Sequence, residues 1–71
     1  PFIDASGAQA LLEFSKQCKK YQTIFFLSGI RGQMRRDLDA FGLVELLGED
    51  RVFSHIDAAL LKARSLLANP E

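Results

Sequence analysis

The run at residues 2–8, Phe-Ile-Asp-Ala-Ser-Gly-Ala, most limits the folds open to this chain. An apolar pair leads into an acidic and a small residue, then a serine and a glycine, and an amphipathic pattern starts at once. This order is typical of a buried strand end that turns sharply into a helix. Ser6 stands three residues before Gln9, so we expect a capping box in which Ser6 accepts from the backbone N–H of Gln9. Gly7 would leave the backbone uncovered where the helix N–H groups are free.

Two interpretations of this turn stand side by side. In the first, Ser6 only caps the helix, because serine is an ordinary N-cap residue. In the second, a phosphate on Ser6, or an anion beside it, lies well placed at the positive end of the helix. Local physics favours the first. The candidate phosphorylation or partner-binding residues are Asp4, Ser6 and Gly7.

The order of the remaining elements indicates an α/β fold. The run at residues 23–28 is β-branched and aromatic, and continuous rather than alternating, which suits a strand covered on both faces in a parallel sheet. Alternating helices and strands favour right-handed crossovers, but these strands are too few to cover three helices. We therefore expect helices packed on a mixed, mostly parallel sheet whose N-terminal strands are missing from this chain. The predicted helices are 7–20, 33–41 and 54–69, with one helical turn at 43–47 and a brief edge strand at 51–53.

Helical spacing also predicts which side chains face inward. On the last helix we expect Ser54 as the N-cap, with Asp57 in the position of a capping-box acid. On the second helix we expect four solvated side chains, Arg35, Arg36, Asp37 and Asp39. The predicted inward side chains are Leu11, Phe14, Cys18, Tyr21, Met34, Leu38, Phe41, Ile56, Ala59, Leu60, Ala63 and Leu67.

Composition and motifs argue against several functional classes. Nine basic and nine acidic residues cancel, so the chain lacks the electrostatic footprint of a nucleic-acid-binding protein. The longest apolar run, 24–27, is far shorter than the ~20 residues of a membrane span. The single cysteine, Cys18, excludes a disulfide framework or zinc cluster, and His55 is expected at the surface. With no nucleophile–base pair or metal-ligand spacing, we predict a non-enzymatic protein without catalytic residues, metal or cofactor.

A weaker candidate site follows the predicted strand at 23–28. Gly29, Arg31 and Gly32 form a glycine-rich loop with a cation, which could meet an anion at the carboxyl end of the sheet. The spacing is not specific, and a plain tight turn is the commoner reason for such a loop.

The order of these motifs resembles the STAS domain, which sulfate transporters and anti-sigma factor antagonists share. The resemblance rests on residues 2–11, on residues 24–29 and on the later pattern within residues 41–59. STAS domains are usually longer, with strands and a helix ahead of their D-x-[ST]-G turn. The resemblance therefore implies that residues 1–71 are the C-terminal portion of a single STAS domain.

Two functions are implied by this resemblance. In SulP-type anion transporters the STAS domain follows the membrane helices, lies on the cytoplasmic face of the inner membrane and is implicated in regulation. In anti-sigma factor antagonists it is a free cytoplasmic protein, switched by phosphorylation at the position matched by Ser6. Ala5 stands where many antagonists carry a second Ser or Thr. The pattern at residues 42–59 looks more like bacterial SulP transporters, which we favour.

The resemblance and the composition together imply the partners. We expect proteins that contact the turn at residues 4–7, the transmembrane domain of the same polypeptide, and no nucleic acid. Nucleotide binding has been proposed for some STAS domains, and no residue here demands it. Apolar helix faces without their sheet predict that the chain by itself either associates, as a dimer or otherwise, or is disordered.

Overall fold

The computed structural model of the protein describes residues 3–69. This part of the chain is mainly helical. The predicted helices and the predicted turn at 43–47 are confirmed, with ends within two residues of the expected ones. The elements are α1 (Ala5–Lys20), α2 (Gly32–Ala40), α3 (Leu43–Leu47), a 3₁₀ turn (Glu49–Arg51) and α4 (Ile56–Ala68).

The chain leaves α1 through a left-handed residue. Gln22 has a φ of 56°, and its N–H donates to the carbonyl of Lys19 at 3.2 Å. The N–H of Thr23 reaches back to the carbonyl of Cys18 at 2.7 Å. These two bonds form a Schellman motif with glutamine in place of the usual glycine. The motif satisfies carbonyls at the end of α1 and reverses the chain toward the apolar segment that follows.

Within residues 3–69, the structure contains one parallel pairing of the predicted sheet. Leu27 and Val52 form an isolated parallel bridge. The N–H of Leu27 donates to the carbonyl of Arg51 at 2.9 Å, and the carbonyl of Leu27 accepts from the N–H of Phe53 at 2.8 Å. The N–H of Ile30 then donates to the carbonyl of Phe53 at 3.0 Å. The parallel direction agrees with the predicted sheet.

The rest of the two predicted strands is not extended into a sheet in the described part of the chain. Residues 23–26 are irregular, and Glu49–Arg51 is a 3₁₀ turn rather than the approach to a strand. A strand is stabilised by hydrogen bonds to its neighbours, so apolar sequence alone does not produce one. The mixed sheet therefore stays a prediction beyond the single pairing of Leu27 with Val52.

A small apolar core lies where α1, α2 and α3 meet. Leu38 of α2 is fully buried and packs in one cluster with Ala8, Leu43, Val44 and Val52. Burying a leucine side chain contributes about 1.5–3 kcal/mol, so Leu38 is a principal apolar contribution here. The partly buried side chains around this cluster are Ile3, Leu11, Leu27, Ile30 and Leu47.

Several side chains predicted to face inward are exposed instead. Cys18 and Ala59 are buried as predicted, and Met34 and Ala63 are partly buried. Helical spacing identifies an apolar face, but only a neighbouring element can cover it. Phe14, for example, keeps one edge-to-face contact with Phe25, at 5.1 Å between ring centres. The exposed members of the predicted set are Phe14, Tyr21, Phe41, Ile56, Leu60 and Leu67.

The prediction that Asp37 is solvated is wrong. Asp37 is 6% exposed, and its carboxylate accepts from the N–H of Ile3 at 3.2 Å and from Nε2 of Gln33 at 2.7 Å. The spacing from Met34 and the position beside Leu38 place it on the inward face of α2. Only its charge argued for solvent, and its hydrogen bonds offset that cost.

Replacing Asp37 should therefore cost more stability than replacing its neighbour Asp39. Asp37→Asn keeps the shape of the side chain but replaces one of its two accepting oxygens by an NH₂ group, which we expect to lower the free energy of unfolding by about 1–3 kcal/mol. Asp39→Asn removes an exposed charge paired with Arg35 and should cost within about 1 kcal/mol. Urea denaturation of both variants measures the difference, and equal losses would contradict the role assigned to Asp37.

Candidate functional site

Asp4, and not Ser6, caps the N-terminus of α1. The backbone of Asp4 is extended, with φ −98° and ψ 179°, and its Oδ1 accepts from the N–H of Gly7 at 2.8 Å. The carbonyl of Asp4 accepts from the N–H of Ala8 at 2.9 Å, so the helical ladder begins here. Ser6 lies inside the first turn. The predicted capping box of Ser6 with Gln9 is therefore wrong.

Two physical effects favour the earlier start. Aspartate caps a helix as well as serine does, and its negative charge also interacts favourably with the helix N-terminus. Starting at Asp4 adds two residues to α1 relative to a start at Ser6. Gln9 is consequently a surface residue of the helix, and its Nε2 donates to Oε1 of Glu13 at 2.8 Å.

Ser6 is an exposed hydroxyl in the first turn of α1. Its side chain has no hydrogen-bond partner among residues 3–69, so it is accessible to an enzyme or a partner. The first backbone N–H groups of a helix have no partner within the helix itself. Asp4 occupies the N–H of Gly7, and the remaining N–H groups of the first turn are the natural donors for an anion at this point.

Gly7 leaves the turn open without being required by local sterics. A methyl group at this position would meet Oδ1 of Asp4 at 3.4 Å and Cγ2 of Ile3 at 3.6 Å, which are ordinary contacts. The residue also lies within the regular part of α1. Gly7 is partly buried and its N–H is bound to Asp4, so the glycine contributes only the absence of a side chain beside Ser6.

A relay of hydrogen bonds, which the sequence analysis missed, ties this turn to α2. The N–H of Ile3, one residue before Asp4, donates to Asp37. Gln33 donates to the other carboxylate oxygen of Asp37 and accepts from Nε and Nη2 of Arg36 at 3.2 and 3.1 Å. The inward spacing of position 37 on α2 was the signal that could have revealed it.

The glycine-rich loop at Gly29, Arg31 and Gly32 has a structural explanation. Both glycines have positive φ, 72° and 59°, which side chains other than glycine rarely adopt. Nη1 of Arg31 donates to Nδ1 of His55 at 2.9 Å and to the carbonyl of Ser54 at 3.4 Å. Arg31 therefore joins the loop before α2 to the start of α4. Its contact with an anion remains a prediction.

The N-terminus of α4 also differs from the predicted one. The helix begins at Ile56, with His55 in the N-cap position and without a side-chain cap bond. The predicted cap by Ser54, with Asp57 completing a capping box, is therefore wrong. Residues 54 and 55 belong instead to the segment that follows the parallel pairing, where Arg31 binds them. His55 is exposed, as predicted.

The positive charges near α2 are bound by local acceptors. Nη2 of Arg35 lies 2.5 Å from Oε1 of Glu49, and its Nε lies 3.3 Å from Oδ2 of Asp39. The hydrogen bond with Glu49 is the main reason that the pKa of Arg35 rises above its ordinary value, and Asp39 adds to it. Arg36 and Asp39 are exposed as predicted, whereas Arg35 is partly buried. Carboxylates therefore balance the charge of Arg35, whereas Arg36 donates to the neutral amide of Gln33 and keeps its charge.

Two further properties concern the described part of the chain. Among residues 3–69, no three His, Cys, Asp or Glu side chains are grouped so that they could hold a metal ion. None of the helices between those residues combines the length and the apolar character needed to cross a bilayer.

Comparison with known proteins identifies the family. The sequence pattern of the STAS domain matches residues 1–59. The chain belongs to the STAS domain family. It is also similar to the crystal structure of a sulfate transporter family protein from Wolinella succinogenes, with 48% sequence identity and a TM-score of 0.90. That match covers 94% of this chain and 55% of the other, so the chain spans about half the length of its relative. No curated protein matched the sequence.

Membership of the STAS domain family confirms the predicted resemblance. The turn that resembles the family's D-x-[ST]-G motif is the one at which Asp4 caps α1 and Ser6 is exposed. Within residues 3–69, no hydrogen bond connects this turn to the loop of Gly29, Arg31 and Gly32. Hydrogen bonds therefore do not join the two candidate sites of this STAS domain within residues 3–69.

The assignment of the cap to Asp4 predicts unequal effects of two alanine substitutions. Asp4→Ala removes the acceptor of the N–H of Gly7 and should lower the free energy of unfolding by about 0.5–2 kcal/mol. Ser6→Ala removes an unbonded hydroxyl from a helical position and should change it by no more than about 0.5 kcal/mol. Thermal denaturation followed by circular dichroism compares them. A larger loss for Ser6→Ala would restore Ser6 as the cap.

Proposed function

We propose that this chain is the C-terminal portion of the STAS domain of a SulP-type anion transporter. The observation that carries the proposal is the 48% identity to a sulfate transporter family protein across 94% of this chain. In this proposal the membrane helices belong to the same polypeptide, and the STAS domain lies on the cytoplasmic face of the inner membrane. Its role is regulation and partner binding rather than transport itself.

Binding rather than catalysis suits the chemistry of the described residues. His55 contacts Arg31 and not a nucleophile, and Cys18 is buried in α1. A nucleophile needs a base within hydrogen-bond reach, and neither side chain has such a neighbour between residues 3 and 69. We therefore propose a protein-binding module that works without a cofactor.

Exposed apolar side chains support the proposal that other segments complete this domain. Ile24, Phe14 and Phe41 are each about half exposed, at 49%, 54% and 45%. Large apolar side chains left exposed on a small domain are consistent with cover by another element. We propose that further strands of the STAS sheet, and the transmembrane domain beyond them, supply that cover.

Membrane fractionation of the native host tests this proposal directly. An antibody raised against residues 3–69 should detect a band of several hundred residues in the membrane fraction, since a transporter needs many spans of ~20 residues each. The control is an antibody to a known cytosolic protein, which must stay in the soluble fraction. A soluble band of about the size of a single domain would contradict the transporter proposal.

One observation favours a second candidate, a free anti-sigma factor antagonist. Ser6 is exposed at the position where the resemblance to antagonists puts the phosphoacceptor. Phosphorylation would add about −1.5 to −2 charges in the first turn of α1. The helix N-terminus stabilises that charge, whereas the carboxylate of Asp4, already bound to Gly7, repels it. In either protein, a partner that binds the uncharged turn would be displaced.

Partner binding should therefore respond to charge at Ser6 and not to loss of its hydroxyl. With the transmembrane domain produced as a separate polypeptide, we expect Ser6→Asp to weaken its binding by about tenfold, or about 1.4 kcal/mol, while Ser6→Ala leaves it unchanged. Ser65→Asp adds the same charge to an exposed position of α4 and serves as the matched control. Co-purification from detergent extracts measures the three variants. Equal retention of Ser6→Asp and Ser6→Ala would refute the switch.

A further inference from the structure

The C-terminal end of α1 carries a cluster of lysines whose charge is mostly uncompensated. Lys16, Lys19 and Lys20 are all exposed. Nζ of Lys16 lies 3.8 Å from Oε1 of Glu13. Among residues 3–69, neither Lys19 nor Lys20 has a carboxylate within ion-pair distance. One acid therefore faces three bases at this end of the helix.

Helix geometry brings the three ammonium groups to one side of α1. At 3.6 residues per turn, positions 16, 19 and 20 lie within an arc of roughly 100°. Cys18, which is buried against the protein at 7% exposure, lies on the opposite side. The three lysines thus form one surface toward solvent, here called the basic face.

The basic face does not depend on an uncovered apolar surface. An exposed phenylalanine such as Phe14 gains when a neighbouring strand covers it. An ammonium group is instead costly to bury without a partner, so apolar strands that complete the sheet would not pack over Lys19 and Lys20. We therefore expect the charge of this face to remain in water when further segments of the domain are present.

An aromatic side chain follows the basic face. Tyr21 is the C-cap residue of α1, and Nζ of Lys20 lies 5.5 Å from the centre of its ring. Tyrosine joins an apolar ring to a polar hydroxyl and is enriched where lipid headgroups meet water. A lysine near an anionic membrane surface raises the affinity by roughly fivefold. The two residue types together fit the edge of a charged bilayer.

We propose that the basic face of α1 binds the surface of a membrane that contains anionic lipids. Lysine ammonium groups are point charges on flexible stems, and here they are spread over about one helical turn. Charge distributed in this way suits a surface of many headgroups better than a single bound phosphate. This inference goes beyond the regulatory role proposed above, since it concerns lipid and not a protein partner.

Co-sedimentation with vesicles tests lipid binding by the full chain. Because the transmembrane domain is left out, the outcome is separate from that of the transporter proposal. The chain should bind mixed phosphatidylcholine and phosphatidylglycerol vesicles at least about tenfold more tightly than pure phosphatidylcholine vesicles. Added salt should reduce the difference, since exposed charges are screened over ~8 Å at physiological ionic strength. Equal binding to both kinds of vesicle, or binding to neither, would overturn the proposal.

Two variants of equal net charge locate the contact. Lys19→Gln/Lys20→Gln removes two charges from the basic face, and Lys62→Gln/Arg64→Gln removes two from α4. Glutamine is a good helix former, so both helices should be kept. We expect the first variant to bind phosphatidylglycerol vesicles at least about tenfold more weakly and the second less than about twofold. Equal losses would mean that net charge alone decides, which would overturn the proposal.

Glu13→Gln tests the same contact by a gain of binding, which a folding defect does not produce. It removes the carboxylate beside Lys16, so binding to phosphatidylglycerol vesicles should tighten by about threefold. Asp57→Asn removes an exposed acid from α4 instead and should have a smaller effect. Circular dichroism shows whether each variant is folded. A gain of the same size in both, or none for Glu13→Gln, would contradict a contact at the basic face.

Discussion

The buried carboxylate of Asp37 is the contact on which the rest of the structure depends. It holds the backbone of Ile3, at the entrance to α1, against α2, and it lies beside Leu38 at the centre of the core. A carboxylate in such a place is costly to bury and is retained only with hydrogen-bond donors around it. Asp37 thereby fixes where the chain approaches α1, and so where the first turn of that helix presents Ser6.

Hydrogen bonds also position the segments on both sides of the parallel pairing. Leu27 and Val52 bring two distant segments together, and Arg31 extends the join to the start of α4 through Ser54 and His55. In a chain with so little buried apolar surface, these polar connections position the helices as much as packing does. The candidate binding turn is held separately, by the bond from the N–H of Ile3 to Asp37, and Ser6 stays exposed.

Periodicity predicted the helices well, because the spacing of apolar residues along a helix is a property of that segment's own sequence. It could not decide between Asp4 and Ser6 as the cap, since both residue types satisfy a first-turn N–H equally well. It also could not show that the apolar faces around Phe14 and Leu67 are uncovered, because burial depends on neighbours. Helical spacing places Asp37 on the inward face of α2, although its charge favours solvent, and its hydrogen bonds offset the cost of burial. The family resemblance located the D-x-[ST]-G turn, but its role depends on partners that no single chain reveals.

The irregular segment at residues 24–26 has a consequence for assembly. Its apolar side chains, Ile, Phe and Phe, come with backbone N–H and C=O groups that make no ladder bonds within residues 3–69. Unpaired backbone groups beside apolar side chains resemble an open sheet edge, with which another extended segment can pair. During synthesis it is therefore a site of risk, since pairing with the wrong strand begins aggregation. Pairing of this segment within the same protein would therefore also protect the chain against misassembly.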